Sequence, residues 1–144
     1  MRPTRDQYFL SLAYGAAERS TCQRRRVGAV LVDSRGRILS TGYNGSPGGY
    51  AHCQDLGCDT QQPCQWSVHA EINALLFAEN REPDETIYVT TAPCRTCALA
   101  IANAGVSRVV IGEWFRPEEG VSGLEVLRQG NILVDQLSWP LDGV

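Results

Sequence analysis

Residues 86–111 read Thr86-Ile-Tyr-Val-Thr-Thr91-Ala-Pro-Cys94-Arg-Thr-Cys97-Ala-Leu-Ala-Ile-Ala-Asn-Ala-Gly105-Val-Ser-Arg-Val-Val-Ile111. Thr86 to Thr91 is a short β-branched and aromatic run, which predicts a buried strand. Pro93 lacks an N–H and suits the first position of a helix over about 94–104. Gly105 ends that helix, and Val106 to Ile111 is a second β-branched run. Strand, helix and strand in that order predict parallel strands joined by a right-handed crossover.

Reading outward, residues 69–79 (His-Ala-Glu-Ile-Asn-Ala-Leu-Leu-Phe-Ala-Glu) form a helix that is apolar nearly all round, so it should lie inside the protein. Further upstream, Val27 to Asp33, a turn at Ser34-Arg-Gly36 and Arg37 to Thr41 predict a hairpin. Phe9, Leu12, Ala13, Ala16 and Ala17 fall at helical spacing. Downstream come a loop over 113–120, a helix from Ser122 to Gln129 stopped by Gly130, and a last strand at 131–135. The order α-ββ-α-β-α-β-α-β predicts an α/β fold of three layers, α/β/α, around a mixed five-stranded sheet. Residues 42–67 are rich in Gly and Pro and show little periodicity. A long irregular stretch inside a small domain is often functional, and something must order it.

A chain of 144 residues is expected to form a single domain over 1–144. With 43% hydrophobic residues it is too apolar for disorder. The formal charge of −3 argues against binding long nucleic acid through its phosphates, which needs clustered positive charge. All 13 basic residues are Arg, which excludes lysine Schiff bases and the phosphate loop that needs Lys. No apolar run reaches the roughly 18 residues of a membrane span. Met1-Arg-Pro-Thr-Arg5 followed by Tyr8 to Ala17 loosely imitates a signal peptide. Asp6 and the short apolar run favour a packed helix in a cytoplasmic protein.

The six Cys and two His are spaced as metal ligands rather than as a disulfide framework. Cys94 and Cys97 share one helix face, near a helix N-terminus that favours thiolates. His69 and Glu71 open the preceding helix. In a helix interior, i and i+2 point about 200° apart. Both can reach one site only if it lies off the helix end, and Glu71 then stands beside the metal without being a ligand. One neutral His and two thiolates balance the charge of Zn²⁺, and three protein ligands leave a fourth position for water. Zinc lowers the pKa of that water toward about 7, and Glu71 can relay the proton to a leaving amine. That chemistry is hydrolytic deamination. His69-Ala-Glu71 followed by Pro93-Cys94-Arg-Thr-Cys97 matches the general zinc deaminase signature.

The chain resembles the cytidine deaminase-like superfamily over almost its whole length. Within it, the chain is similar to the deoxycytidylate (dCMP) deaminases. The resemblance is carried by Val27-Gly-Ala29, Gly42-Tyr-Asn44-Gly-Ser-Pro47, His69-Ala-Glu-Ile-Asn-Ala74 and Thr91-Ala-Pro-Cys94. It implies conversion of dCMP and water to dUMP and ammonia. It also implies a homo-oligomer, hexameric in many members, activated by dCTP with Mg²⁺ and inhibited by dTTP. The implied substrate contacts are Asn44, Ala70 and Ala92, with Gly42, Tyr43 and Gly45 as effector contacts. Alternatives within the superfamily are a bifunctional dCMP/dCTP deaminase, a tRNA adenosine deaminase and a nucleoside cytidine deaminase. A zinc scaffold without catalysis is a further alternative, against which the intact Glu71 argues.

Two features stay open between a bland and a functional reading. Asn44-Gly45 is a turn dipeptide that tolerates left-handed angles, while the resemblance puts Asn44 on the sugar. Arg24-Arg-Arg26 is by default a solvated charged face; the sharper reading has Arg24 or Arg26 grip a phosphate. The remaining Cys22, His52, Cys53, Cys58 and Cys64 surround the long loop. A structural zinc on Cys22, His52, Cys58 and Cys64 is expected there, with Cys53 spare because chain neighbours seldom both turn inward. Reduced cysteines or one disulfide are the alternatives.

Overall fold

The computed structural model describes residues 2–53, 55, 64–114 and 118–138. The elements follow the expected order: α1 (Arg5–Ala17), β1 (Gly28–Val32), β2 (Ile38–Tyr43), α2 (Ala70–Leu76), β3 (Thr86–Thr91), α3 (Arg95–Asn103), β4 (Arg108–Glu113), α4 (Gly123–Gln129) and β5 (Leu133–Gln136). The strands form one sheet in the order β2-β1-β3-β4-β5. β1 pairs antiparallel with β2 and β3, whereas β3, β4 and β5 run parallel.

Strand periodicity distributes the core between the two faces. Val30, Val32, Tyr88 and Val110 face α1, where they pack on Phe9, Leu10 and Ala13. Ala29, Leu31, Ile87, Val89, Val109 and Ile111 face the other side, with Ala70, Ala74, Ala98, Ile101 and Leu127 from α2, α3 and α4. Among the described residues one helix thus covers one face and three cover the other. Each fully buried Leu or Ile contributes on the order of 1.5–3 kcal/mol. α1 starts at a capping box, with Thr4 Oγ1 accepting from the Gln7 N–H and Gln7 Oε1 from the Thr4 N–H. Gly105, at φ +83°, ends α3 in the left-handed conformation expected of it.

Two expectations need correction. α2 ends at Leu76, with Leu76 and Phe77 exposed at 66% and 69%. The helix is too short to be covered all round; its buried residues are Ala70, Glu71 and Ala74. The irregular stretch also begins later, because β2 continues through Gly42 and Tyr43. Gly42 is needed there for close approach: a Cβ would run into the carbonyl of Ala70 and the amide of Ala74.

Candidate metal centre and substrate cavity

His69 and Cys94 are the N-caps of α2 and α3, both with extended backbone and neither spending its side chain on a cap. This resolves the helical-wheel problem, since both side chains leave the helix end. Glu118 frees Cys94 of capping duty. Its carboxylate accepts from the Arg95 N–H at 2.9 and 3.1 Å and from the Gly123 N–H at 3.1 Å, closing the starts of α3 and α4 together. Sequence reasoning missed Glu118; an acidic residue before a helix start was the available signal.

His69 Nδ1 lies 3.1 Å from Cys97 Sγ and 3.5 Å from Cys94 Sγ. One ligand atom from each of the three residues falls within 4.8 Å of the others. Tetrahedral zinc, with bonds of about 2.0 Å to nitrogen and 2.3 Å to sulfur, places its ligand atoms roughly 3.5–3.8 Å apart, so the trio fits. Among the described residues no other His, Cys, Asp or Glu group comes together at that spacing.

The charges at the centre are interdependent. Hydrogen bonding from Cys97, and from His69, lowers the Cys94 thiol to about 4. The Cys94 sulfur in turn raises His69. Cys97 is pushed far up by its bond to Cys94 and by burial. Glu71 is 4% exposed, and burial raises its carboxyl to about 7. A carboxyl near neutrality can both take and return a proton at working pH.

A cavity of about 450 Å³ opens over His69, Glu71 and Cys94, within the range of small-ligand sites. Its lining includes Asn44, Ala70 and Ala92, as well as Arg24. Arg26 lies elsewhere, exposed, with its guanidinium 3.9 Å from Glu18. Arg25, which the sequence reading passed over, lines the cavity and donates to Thr91 Oγ1 at 3.1 Å. Asn44 is buried and lies outside the left-handed region, as does Gly45, so the left-handed turn reading is wrong here. Gly45 instead exchanges backbone hydrogen bonds with Val68. Gly42 packs against α2, and Tyr43 accepts at its carbonyl from Asn73 Nδ2 at 2.9 Å.

The second cysteine cluster differs from the expected set. Of the neighbours His52 and Cys53, it is Cys53 that turns inward, at 2% exposure, while His52 is exposed. Cys53 Sγ lies 3.9 Å from Cys64 Sγ. Cys53, and not His52, is thus the inward-facing neighbour. Cys22 is buried and borders the cavity with Cys64, but Cys22, Cys53 and Cys64 do not meet as a trio at ligand spacing. Cys58 lies outside the described residues.

The family model for the cytidine and deoxycytidylate deaminase zinc-binding region matches residues 3–113. The chain belongs to this family. Among relatives, a deoxycytidylate deaminase of Saccharomyces cerevisiae is 40% identical over 96% of this chain, which spans 46% of that protein. A deoxycytidylate deaminase of Mycobacterium phage D29 is 43% identical over 76% of this chain and 94% of its own length. The crystal structure of the dCMP deaminase from cyanophage S-TIM5 in complex with dCMP and dUMP superposes with a TM-score of 0.82. It is 29% identical and covers 95% of this chain and 99% of that one. The mixed sheet and its four helices match this deaminase architecture. No described helix is long and apolar enough to cross a membrane.

Proposed function

We propose that this chain, as a single domain over 1–144, hydrolyses dCMP to dUMP and ammonia. The observation that carries the reading is one cavity lined by His69, Cys94 and the buried Glu71, with Cys97 Sγ behind that lining at 3.1 Å from His69 Nδ1, so that a zinc-type trio and a carboxyl share one site. The cyanophage relative that binds dCMP and dUMP supports the choice of substrate.

His69 Nδ1 and the two sulfurs would hold Zn²⁺, which when bound supplies Lewis acidity toward a water in its open position. Glu71 takes the proton from the attacking water, holds it within the buried site and delivers it to the departing amine. Its burial beside the trio places it for both halves of that relay. Ala70 and Ala92 leave room for the pyrimidine, since both line the cavity with small side chains. Asn44 contacts the sugar. Arg24 holds the phosphate, and Arg25 joins it because it borders the same cavity. Arg26, beside Glu18 and outside that cavity, has no part in this phosphate site.

Further elements of the proposal rest on family membership. They are a cytoplasmic homo-oligomer, hexameric in form, and dCTP/dTTP regulation with Mg²⁺ at Gly42, Tyr43 and Gly45. A structural zinc involving Cys22, Cys58 and Cys64 is included as well. Its fourth ligand in this reading is His52, since Cys22, Cys53 and Cys64 do not come together at ligand spacing. The deciding experiment is ammonia release from dCMP, dCTP, deoxycytidine and an adenosine-bearing RNA stem-loop. Turnover of dCMP above the other three is expected. Preference for the RNA would overturn the reading.

A further inference from the structure

We propose that Ser20 is a positioning residue whose hydroxyl locks the Asn44 carboxamide, so that Asn44 meets the substrate sugar as a hydrogen-bond donor only. The inference rests on the reading that Asn44 contacts the sugar of dCMP. Ser20 follows α1 and is 7% exposed. Its Oγ lies 2.6 Å from Asn44 Oδ1 and 2.8 Å from the Asn44 carbonyl oxygen, and accepts from the Cys22 N–H at 3.2 Å. Neither Asn44 oxygen carries a proton, so the single Ser20 hydroxyl proton must be donated to this pair, and the shorter contact assigns it to Oδ1.

The rest of the carboxamide is equally constrained. Oδ1 accepts from the Val27 N–H at 2.8 Å, and Nδ2 donates to the Arg25 carbonyl at 2.7 Å. A main-chain N–H can only donate and a carbonyl can only accept, so these partners decide which end of the amide is oxygen. Both accepting sides of Oδ1 are then occupied, and one of the two Nδ2 protons is used. A single N–H remains on a side chain that lines the cavity. It can receive only an acceptor. In dCMP the 5′ oxygen is phosphorylated and the 2′ position bears no hydroxyl, so the free sugar hydroxyl is at 3′. Its oxygen is the group Asn44 receives. Removing the Ser20 hydroxyl opens one side of Oδ1 and cuts one of three tethers on the amide.

The test compares dCMP with its 3′-deoxy analogue on the zinc-loaded enzyme. The proteins are the parent, Ser20→Ala, Ser20→Thr, Asn44→Ala and the Ser20→Ala/Asn44→Ala double variant. The parent should prefer dCMP. Ser20→Ala should narrow that preference by roughly 2- to 10-fold, mainly through KM for dCMP. Ser20→Thr, which keeps the hydroxyl, should restore it. The double variant should match Asn44→Ala alone. An equal loss on both substrates, or additive effects in the double variant, would make Ser20 merely structural and overturn the proposal. If Asn44→Ala itself keeps the parent's preference, the sugar contact fails first and takes this inference with it. Should Ser20→Ala not fold, Ser20→Cys supplies a side chain of similar size with a weaker donor. An unchanged preference in that variant also overturns the proposal.

Discussion

His69 Nδ1 stands 3.1 Å from Cys97 Sγ across 28 residues of sequence. The contact exists because His69 caps α2 while Cys97 sits in the first turn of α3, and both helices lie on the same face of the sheet. In the metal-free protein, Cys97 and His69 are both shifted toward holding their protons. Zinc must displace them. Zinc uptake near pH 7 should therefore release at least one proton per ion, that of Cys97, and the apparent affinity should rise with pH. Titration calorimetry in buffers of different ionisation enthalpy reads the number directly. Uptake without proton release would contradict the assigned ligands.

Glu71→Gln should lower kcat by about 100-fold or more while leaving zinc content and the fold intact. Assays of ammonia release paired with metal analysis check both halves. The same variant reports on pH-dependent stability. The native Glu71 pKa of about 7 lies above the ordinary 4.5, so burial favours its protonated form. That relative advantage is full below about pH 4.5 and is lost as pH rises through about 7. Against Glu71→Gln, the metal-free parent should lose on the order of 3 kcal/mol across that window. Parallel denaturation curves for the two proteins would contradict it.

Arg24→Ala and Arg25→Ala should each weaken dCMP turnover by about 10-fold or more while sparing deoxycytidine, because an arginine–phosphate pair is a charge-assisted bond. Arg26→Ala should change little, given its place beside Glu18. Ratios of kcat/KM on the two substrates separate the three. Equal losses on nucleotide and nucleoside would remove the phosphate role.

Gly42→Ala should destabilise by about 1–3 kcal/mol through overpacking, since the new methyl meets the backbone of α2. The same helix carries Glu71, so activity should fall as well. Gly48→Ala is the matched control: nothing lies within 4 Å of its Cβ position, and its cost should stay within about 0.5 kcal/mol. Melting temperatures of the two variants give the comparison.

Asp6→Asn should destabilise by about 1–3 kcal/mol near neutral pH. Asp6 accepts from Tyr88 OH at 2.6 Å and pairs with Arg108 at 2.7 Å, joining α1 to β3 and β4. The Arg108 hydrogen bond holds Asp6 below its ordinary 3.8. Its contribution is thus present above 3.8 and lost as pH falls through the lower native value. Urea midpoints should show the parent's advantage shrinking toward pH 3. A gap independent of pH would mean that the carboxylate charge is not what stabilises.

Much of this molecule was legible from residue order. The runs expected at 27–33, 86–91 and 106–111 give strands at Gly28–Val32, Thr86–Thr91 and Arg108–Glu113, because β-branched residues favour a pleated, buried backbone. Gly105, at φ +83°, marks the end of α3 for a local steric reason. The ligand trio and Glu71 were readable because their spacing along two helix starts is itself local. Other properties depend on partners far away in sequence. The strand order, the exposure of Leu76 and Phe77, the inward turn of Cys53 and the entry of Arg25 into the cavity are of this kind. So are the Glu118 cap on α3 and the saturation of Asn44 Oδ1, whose partners Ser20 and Val27 lie 24 and 17 residues away. Composition and spacing determine which backbone conformations and ligand types are available. Only packing decides which polar atoms meet, because a buried donor or acceptor must find its partner wherever the fold has brought one.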